Sequence, residues 1–265
     1  MSQARFSVRT AVAEGYAFWR GNVLKAIGPL LIATAGLAVL VTARDLAMLV
    51  GGLAVYLLGG IAAQGALFRL ALSDAGPDVR ENGPWGLQWR GLETRLAAVG
   101  LLVGVILGFG AIVAGMILNV LFLVLNGAPA TEAAATTASL ADLTPTQQFL
   151  FKAAGLVAVA LLLVLSARLS LAGPATAADG RLRLLHSLEL TRGAVLPVVG
   201  ANLVINLPII AMQVLAGLYT AGAGGAVAVA PTQMIVGVVS TFFYVPVSVG
   251  LLSYIYQRLR EGAQP

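Results

Sequence analysis

Six apolar segments constrain this chain more than any other feature of its sequence. A helix needs about 20 predominantly apolar residues to cross the ~30 Å hydrocarbon layer of a bilayer. The segments that meet this length are 23–43, 46–72, 96–125, 147–171, 194–218 and 231–257. We therefore predict an all-α polytopic membrane protein with six transmembrane helices, forming a single membrane domain over 1–265.

The composition favours the same fold class and excludes several kinds of site. Only 10% of the 265 residues are charged, whereas soluble domains use about 25% to solvate their surface. Because the chain has no cysteine and one histidine, disulfide frameworks, Cys/His zinc sites and thiol catalysis are excluded. The net charge of +5 would suggest nucleic-acid binding in a soluble protein. In a membrane protein a basic excess reflects cytoplasmic loops instead, so we expect no nucleic-acid partner.

The basic residues predict the orientation of the six spans. Of the 16 Lys and Arg residues, all but Arg44 and Lys152 lie on the side of the N-terminus. Cytoplasmic loops are enriched in Lys and Arg. We therefore predict a multi-pass membrane protein with both termini in the cytoplasm.

Short motifs recur at the same places relative to the spans. Arg-Gly precedes each odd-numbered span, and Arg-Leu follows each even-numbered span. The Arg-Gly pairs begin at Arg20, Arg90 and Arg192, and the Arg-Leu pairs begin at Arg69, Arg168 and Arg258. This pattern predicts three units, 4–72, 78–171 and 179–260, each a cytoplasmic interfacial amphipathic helix followed by a transmembrane hairpin. The glycine of each Arg-Gly pair is expected to adopt the left-handed conformation that ends a helix.

The interfacial segments carry residue types that contact lipid head groups. Arginine attracts anionic lipids, and tryptophan is enriched at membrane interfaces. The candidate head-group contacts are Arg20, Arg90, Arg192, Trp19 and Trp89. In the first unit Val8, Val12, Tyr16 and Trp19 form one apolar stripe. Ordinary anchoring beside the membrane is the alternative to specific recognition of lipid.

Amide side chains within the spans form a second candidate site. Asn202, Asn206 and Gln213 lie within about 40° on a helical wheel. Pro208, between them, removes a backbone donor and predicts a kink. Asn119 and Gln64 complete the candidate polar path. Such amides either line a cavity for a transported molecule or form interhelical hydrogen bonds that hold the packing together.

Small residues within the third span predict close helix packing, and the sequence lacks catalytic motifs. Gly100, Gly104 and Gly108 follow i, i+4, i+8 spacing, which predicts close helix packing within the chain or with another copy. His186 has Ser187 beside it and Glu189 three residues later, but adjacent side chains diverge on a helix, so the three residues do not form a catalytic triad. The sequence contains no phosphate-binding loop and no dinucleotide fingerprint. We therefore expect no enzymatic activity, no cofactor and no metal.

Two segments resemble a known family. They are Phe6–Asn22, which contains Tyr16-Ala17-Phe18-Trp19-Arg20-Gly21-Asn22, and Arg168–Gly193, which contains Leu171-Ala172-Gly173-Pro174 and Leu190-Thr191-Arg192-Gly193. They are similar to bacterial integral membrane proteins grouped with the glycerophosphoryl diester phosphodiesterase membrane domain. In that family the membrane domain can accompany a separate soluble phosphodiesterase domain that carries the catalysis, and many members are membrane domains alone. The resemblance therefore implies a membrane domain of the bacterial inner membrane, without phosphodiesterase activity.

Three functions follow from these observations, in order of preference. The first is a non-enzymatic protein of membrane organisation or lipid homeostasis that contacts anionic head groups. The second is a transporter or channel for a small molecule or lipid, with a polar path along the fifth span. A membrane-embedded lipid enzyme is third, because the spans contain no cluster of acids, bases or metal ligands. The sequence leaves the ligand, the oligomeric state and any protein partner open.

Overall fold

The computed structural model describes residues 6–73, 83–126, 143–222 and 226–263, and every regular element among them is helical. The helices are α1 (Val8–Asn22), α2 (Ile27–Thr42), α3 (Leu46–Ala71), α4 (Gly91–Leu125), α5 (Pro145–Leu169), α6 (Ala172–Asp179), α7 (Leu184–Leu190), α8 (Val195–Gly222), α9 (Ala226–Val239) and α10 (Val245–Ala263). Short 3-10 turns occupy Val23–Ala26 and Pro84–Gly86, and Ser240–Tyr244 is π-helical.

Six helical segments are long and apolar enough to cross a membrane, which confirms the predicted number. Their bounds are Val8–Thr42, Leu46–Ala71, Pro84–Leu125, Pro145–Asp179, Val195–Thr220 and Ala230–Gly262. The predicted bounds of the spans agree closely with the structure at the turn between the first two spans, where α2 ends at Thr42 and α3 begins at Leu46. Asp45 caps α3, because its carboxylate accepts the Met48 N–H at 2.7 Å and so satisfies one donor that the helix leaves free.

Helices α2 and α3 pack with their backbones in contact. A methyl group placed on Gly59 would lie 2.5 Å from the nitrogen of Ala33, and one on Gly52 would lie 2.8 Å from the nitrogen of Leu40. A methyl group on Gly36 would collide with the backbone of Tyr56. These contacts run in opposite order along the two helices, so α2 and α3 are antiparallel neighbours. Small residues permit this close approach.

Helix α1 packs against the chain's own core. A methyl group on Gly15 would lie 2.8 Å from the carbonyl oxygen of Val247, and one on Gly250 would lie 2.7 Å from Cβ of Phe18. The apolar stripe of α1, which includes Val8 and Val12, also contacts buried residues of the core. The stripe that the sequence assigns to the membrane interface therefore contributes to tertiary packing with α10.

The left-handed corners predicted at the Arg-Gly pairs are right at one position and wrong at two. Among the described residues, the glycines with positive φ are Gly86, Gly180 and Gly193. Gly193 has φ 90° between α7 and α8, as expected. Gly21 lies inside α1, because the chain continues through a 3-10 turn into α2 and needs no reversal there. Gly91 is the first residue of α4 instead of the end of an earlier helix.

The predicted interfacial helix of the second unit is wrong over 83–90. Only the 3-10 turn Pro84–Gly86 forms there, with φ 57° at Trp85 and 77° at Gly86. Two successive left-handed residues cannot continue a right-handed helix. Residues 78–82 of that prediction lie outside the described residues. In the third unit, the segment before the fifth span contains the seven-residue helix α7.

The chain forms two compact units. The first comprises Met1–Gly100 and Ala167–Pro265, and the second comprises Leu101–Ser166. The boundaries of these compact units differ from those of the three units predicted from the sequence. In the second compact unit α4 and α5 are antiparallel, because Gln147 Nε2 donates to the Leu125 carbonyl at 2.7 Å and Phe122 contacts Phe151 with 5.7 Å between ring centroids. Of the predicted outer loop 127–146, residues 127–142 lie outside the described residues.

Candidate functional site

The three candidate head-group arginines have exposed side chains in the first compact unit. Arg20 lies in the last turn of α1, Arg90 directly precedes α4, and Arg192 lies between α7 and α8. The ion pairs that the structure describes involve other basic residues, Arg69, Arg183, His186 and Arg258. The guanidinium groups of the three candidates therefore remain available to an anion.

The indole N–H of Trp19 forms a hydrogen bond within the protein. Its Nε1–H donates to the carbonyl oxygen of Phe242 at 2.9 Å. That carbonyl lies four residues before Pro246, which has no N–H to bond it, and it belongs to the π-helical segment. The rings of Trp19 and Tyr16 also contact Phe243, with centroid distances of 5.0 and 5.6 Å. Trp19 thus joins α1 to the interrupted last span.

Replacing Trp19 by Phe should lower the free energy of unfolding by about 1–3 kcal/mol, because the Phe242 carbonyl loses its donor while the aromatic contact persists. Unfolding by denaturant in detergent micelles, followed by circular dichroism, measures the loss. Pro246→Ala supplies the missing backbone N–H, so Trp19→Phe should cost less in that background. Equal costs in both backgrounds would contradict this explanation of the hydrogen bond.

Trp85 and Trp89 have far greater exposure than Trp19. The Trp85 side chain is 73% exposed and Trp89 is 48% exposed, at the beginning of the third candidate span. Trp89 Nε1–H donates to Thr94 Oγ1 at 3.2 Å. The head-group contacts predicted from the sequence include Trp89 and not Trp85, although Pro84 and Gly86 on either side of Trp85 signal a turn.

The turn that carries Trp85 is attached to the beginning of α2. A methyl group on Gly86 would lie 2.9 Å from the carbonyl oxygen of Lys25. A methyl group on Gly28 would lie 2.7 Å from Cγ of Leu87. Within the turn, the Gly86 N–H donates to the Gly83 carbonyl at 2.9 Å. The unfavourable backbone conformation of Trp85 is therefore maintained by its surroundings.

A buried ion pair that is not among the sequence predictions lies beside Arg90. Arg69, at the end of α3, bonds the Glu93 carboxylate, and the two side chains are only 1% and 0% exposed. The other carboxylate oxygen of Glu93 accepts the backbone N–H of Arg90 at 2.8 Å. A glutamate at the third position of a helix that bonds back to the capping residue is a known N-terminal pattern. That spacing was the available signal.

Arg168 has a comparable role before the fifth span. Its Nη2 donates to the Leu188 carbonyl at 2.7 Å, and its Nε donates to Thr191 Oγ1 at 3.3 Å. Like Arg69, it belongs to an Arg-Leu pair after an even-numbered span. Both arginines therefore position the segment that leads into the next span, with Arg90 at one such segment and Arg192 at the other.

The amides of the fifth span bond mainly within their own helix. Asn202 Nδ2 donates to the Val198 carbonyl at 2.9 Å, and Asn206 Nδ2 donates to the Asn202 carbonyl at 2.7 Å. Helix α8 continues through Pro208. Gln213 of α8 and Gln64 of α3 are exposed.

Asn119 and the glycine stripe lie on α4. In the second compact unit Asn119 lines an open cavity of about 310 Å³ together with Gly115, Leu118, Phe122 and Phe151. A methyl group on Gly100, Gly104 or Gly108 would have no described atom within 4 Å. The predicted packing role of these glycines therefore stays a prediction.

No group of three His, Cys, Asp or Glu residues that could hold a metal ion occurs in the part of the chain that the structure describes. His186 Nδ1 lies 3.4 Å from Glu189 Oε2 at the surface. The candidate site is thus a set of exposed arginine and tryptophan side chains around the ends of the spans.

The chain matches no family model, no curated protein and no solved structure, so the family resemblance stays a prediction from its motifs.

Proposed function

We propose that this chain is a non-enzymatic, multi-pass protein of the bacterial inner membrane that acts in membrane organisation or lipid homeostasis by contacting anionic lipid head groups. In this proposal both termini lie in the cytoplasm, and the three transmembrane hairpins present Arg20, Arg90 and Arg192 at the cytoplasmic head-group level. The positive-inside distribution of Lys and Arg supports the orientation.

The observation that carries the proposal is the exposed Trp85 turn beside Arg90. A non-glycine residue with positive φ is uncommon, and such conformations persist only where the surrounding structure maintains them. Here the strained turn leaves a large apolar ring 73% exposed at the beginning of a candidate span. Tryptophan is enriched at that level of a bilayer. A membrane interface would cover the ring, while Arg90 nearby would attract lipid phosphate.

The proposed lipid contacts predict a loss of selectivity when the three arginines are neutralised. Each basic residue near an anionic surface contributes about 1 kcal/mol, so Arg20→Gln, Arg90→Gln and Arg192→Gln together should weaken binding by roughly a hundredfold. Native mass spectrometry of protein in mixed phosphatidylglycerol and phosphatidylcholine measures the preference for the anionic lipid.

The control is Arg44→Gln with Lys152→Gln, because both side chains are exposed but belong to the opposite side of the predicted topology. This pair should change the preference much less than the triple replacement does. An unchanged preference for phosphatidylglycerol in the triple variant would contradict the proposed function.

A further inference from the structure

A second group of arginines surrounds a single carboxylate, away from the three residues above. Asp179 is the last residue of α6, and its Oδ2 lies 3.3 Å from Arg183 Nε. Its Oδ1 accepts a hydrogen bond from the hydroxyl of Tyr256 at 3.5 Å. Arg260 follows Tyr256 by one turn on the same face of α10, where its positive charge acts on the same hydroxyl.

Arg95 reaches this group from the first turns of α4. Its Nη1 lies 3.4 Å from the position of a methyl group on Gly180. Gly180 caps the C-terminus of α6 with φ 61°. A guanidinium is favourable there because the last carbonyls of a helix carry partial negative charge. Arg95, Arg183 and Arg260, with Asp179 and Tyr256, are called the arginine cluster below.

The arginine cluster has an excess of positive charge. Of its charged groups three are guanidinium groups and one is a carboxylate, which pairs with Arg183, and the C-terminus of α6 offsets only about half a charge more. The carboxylates of Glu189 and Glu261 pair elsewhere, with His186 at 3.4 Å and with Arg258 at 3.0 Å. The side chains of Arg95, Arg183 and Arg260 are exposed. The cluster therefore carries net positive charge on side chains that an anion in solution or at a membrane surface can reach.

A buried hydroxyl lies one turn before Tyr256 on α10. Ser253 is 2% exposed, and its Oγ has no hydrogen-bond partner among the described residues. It precedes Tyr256 by three residues on α10, so both lie on the same face of that helix. Buried hydroxyl groups in proteins normally have a partner, so an unpaired one calls for an explanation.

We propose that the arginine cluster is a binding site for a phosphate group, which arrives either on a phospholipid or as a soluble phosphate. The planar guanidinium fork matches the oxygens of phosphate with two parallel hydrogen bonds. Arginines from α4, from the segment before α7 and from α10 supply such forks. Asp179 holds Arg183 and Tyr256 in position, and its negative charge also weakens the site for an anion. The phospholipid form of this proposal rests on the proposed function, because both require these helix ends to lie at head-group level.

The test uses the full chain in detergent and two phosphate probes. Dioctanoyl phosphatidic acid carries the phosphate on acyl chains, inorganic phosphate lacks them, and dioctanoylglycerol is the control without phosphate. Isothermal titration should detect phosphatidic acid and not dioctanoylglycerol. Arg95→Gln and Arg260→Gln should each weaken phosphate binding about tenfold, because each removes a charge-assisted hydrogen bond. Tight binding of inorganic phosphate would assign the site to a soluble ligand, and its absence would assign it to a lipid.

Asp179→Asn distinguishes an anion site from a purely structural ion pair. Removing the carboxylate charge should strengthen phosphate binding several-fold, whereas a cluster that only neutralises Asp179 should gain nothing. Thermal unfolding of each variant checks that the fold persists, and Tyr256→Phe supplies a second measurement if Asp179→Asn unfolds. Binding of neither probe, or binding unchanged in Arg95→Gln and Arg260→Gln, would overturn this inference. Arg20, Arg90 and Arg192 are intact in these variants, so unchanged binding in Arg95→Gln and Arg260→Gln would overturn this inference and leave the proposed function standing. Failure of the full chain to bind phosphatidic acid would count against both.

Discussion

Replacing Arg69 by Ala should lower the free energy of unfolding by about 3–5 kcal/mol. Arg69 and Glu93 are both almost fully buried, so the replacement leaves the Glu93 carboxylate in the interior without its counter-charge. A buried charge without a partner is far more costly than a missing surface pair. Chemical unfolding in detergent micelles, followed by circular dichroism, measures the difference.

A double replacement separates the cost of the unpaired charge from the value of the pair. Apolar residues of similar volume often substitute for a buried ion pair with little loss. Arg69→Met with Glu93→Leu should therefore recover most of the stability that Arg69→Ala loses. Some loss remains, because Glu93 also accepts the backbone N–H of Arg90 at 2.8 Å. If the double variant were no more stable than Arg69→Ala, desolvated charge would not be the cause.

The exposed Arg258–Glu261 pair is the matched control. Its nitrogen–oxygen distance is 3.0 Å, but the two side chains are 53% and 64% exposed. Exposed ion pairs contribute about 0–1 kcal/mol, because water already solvates both charges. Arg258→Ala should therefore be nearly neutral.

The sequence predicts the spans well because their signals are local. Hydropathy and helix length place all six, and the polar turn between Thr42 and Leu46 lies where its residues indicate. Contacts between residues far apart along the chain have no such local signal. Arg69 and Glu93 are separated by 24 positions along the chain, and nothing in either helix alone shows that their side chains meet in the interior.

The candidate site shows the same division between local and long-range signals. Proline predicts that the carbonyl of Phe242 lacks its helical donor, but its actual donor, Trp19, is 223 residues away. Trp19 and Trp89 look alike in sequence, since each directly precedes the arginine of an Arg-Gly pair. Only tertiary packing distinguishes Trp19, bonded to the last span, from the exposed Trp85 and Trp89.

Two adjacent glycines of α3 should differ in how replacement by alanine changes the stability of the protein. Gly59→Ala should lower the free energy of unfolding by about 1–3 kcal/mol, because the new methyl group collides with a neighbouring backbone. At Gly59 that group would lie 2.5 Å from the nitrogen and 2.8 Å from Cα of Ala33. Backbone atoms cannot rotate away as a side chain can, so α2 and α3 must separate.

Gly60→Ala is the control, because a methyl group there has nothing within 4 Å. Alanine is favoured over glycine in a helix by about 0.5–1 kcal/mol, so this variant should be neutral or slightly more stable. Both replacements add the same methyl group to the same helix, which means that their difference measures the α2–α3 contact alone. Ala33→Gly should not rescue Gly59→Ala, since the collision involves the backbone of Ala33 and not its side chain. Equal stability of the two alanine variants would show that α2 and α3 do not approach this closely.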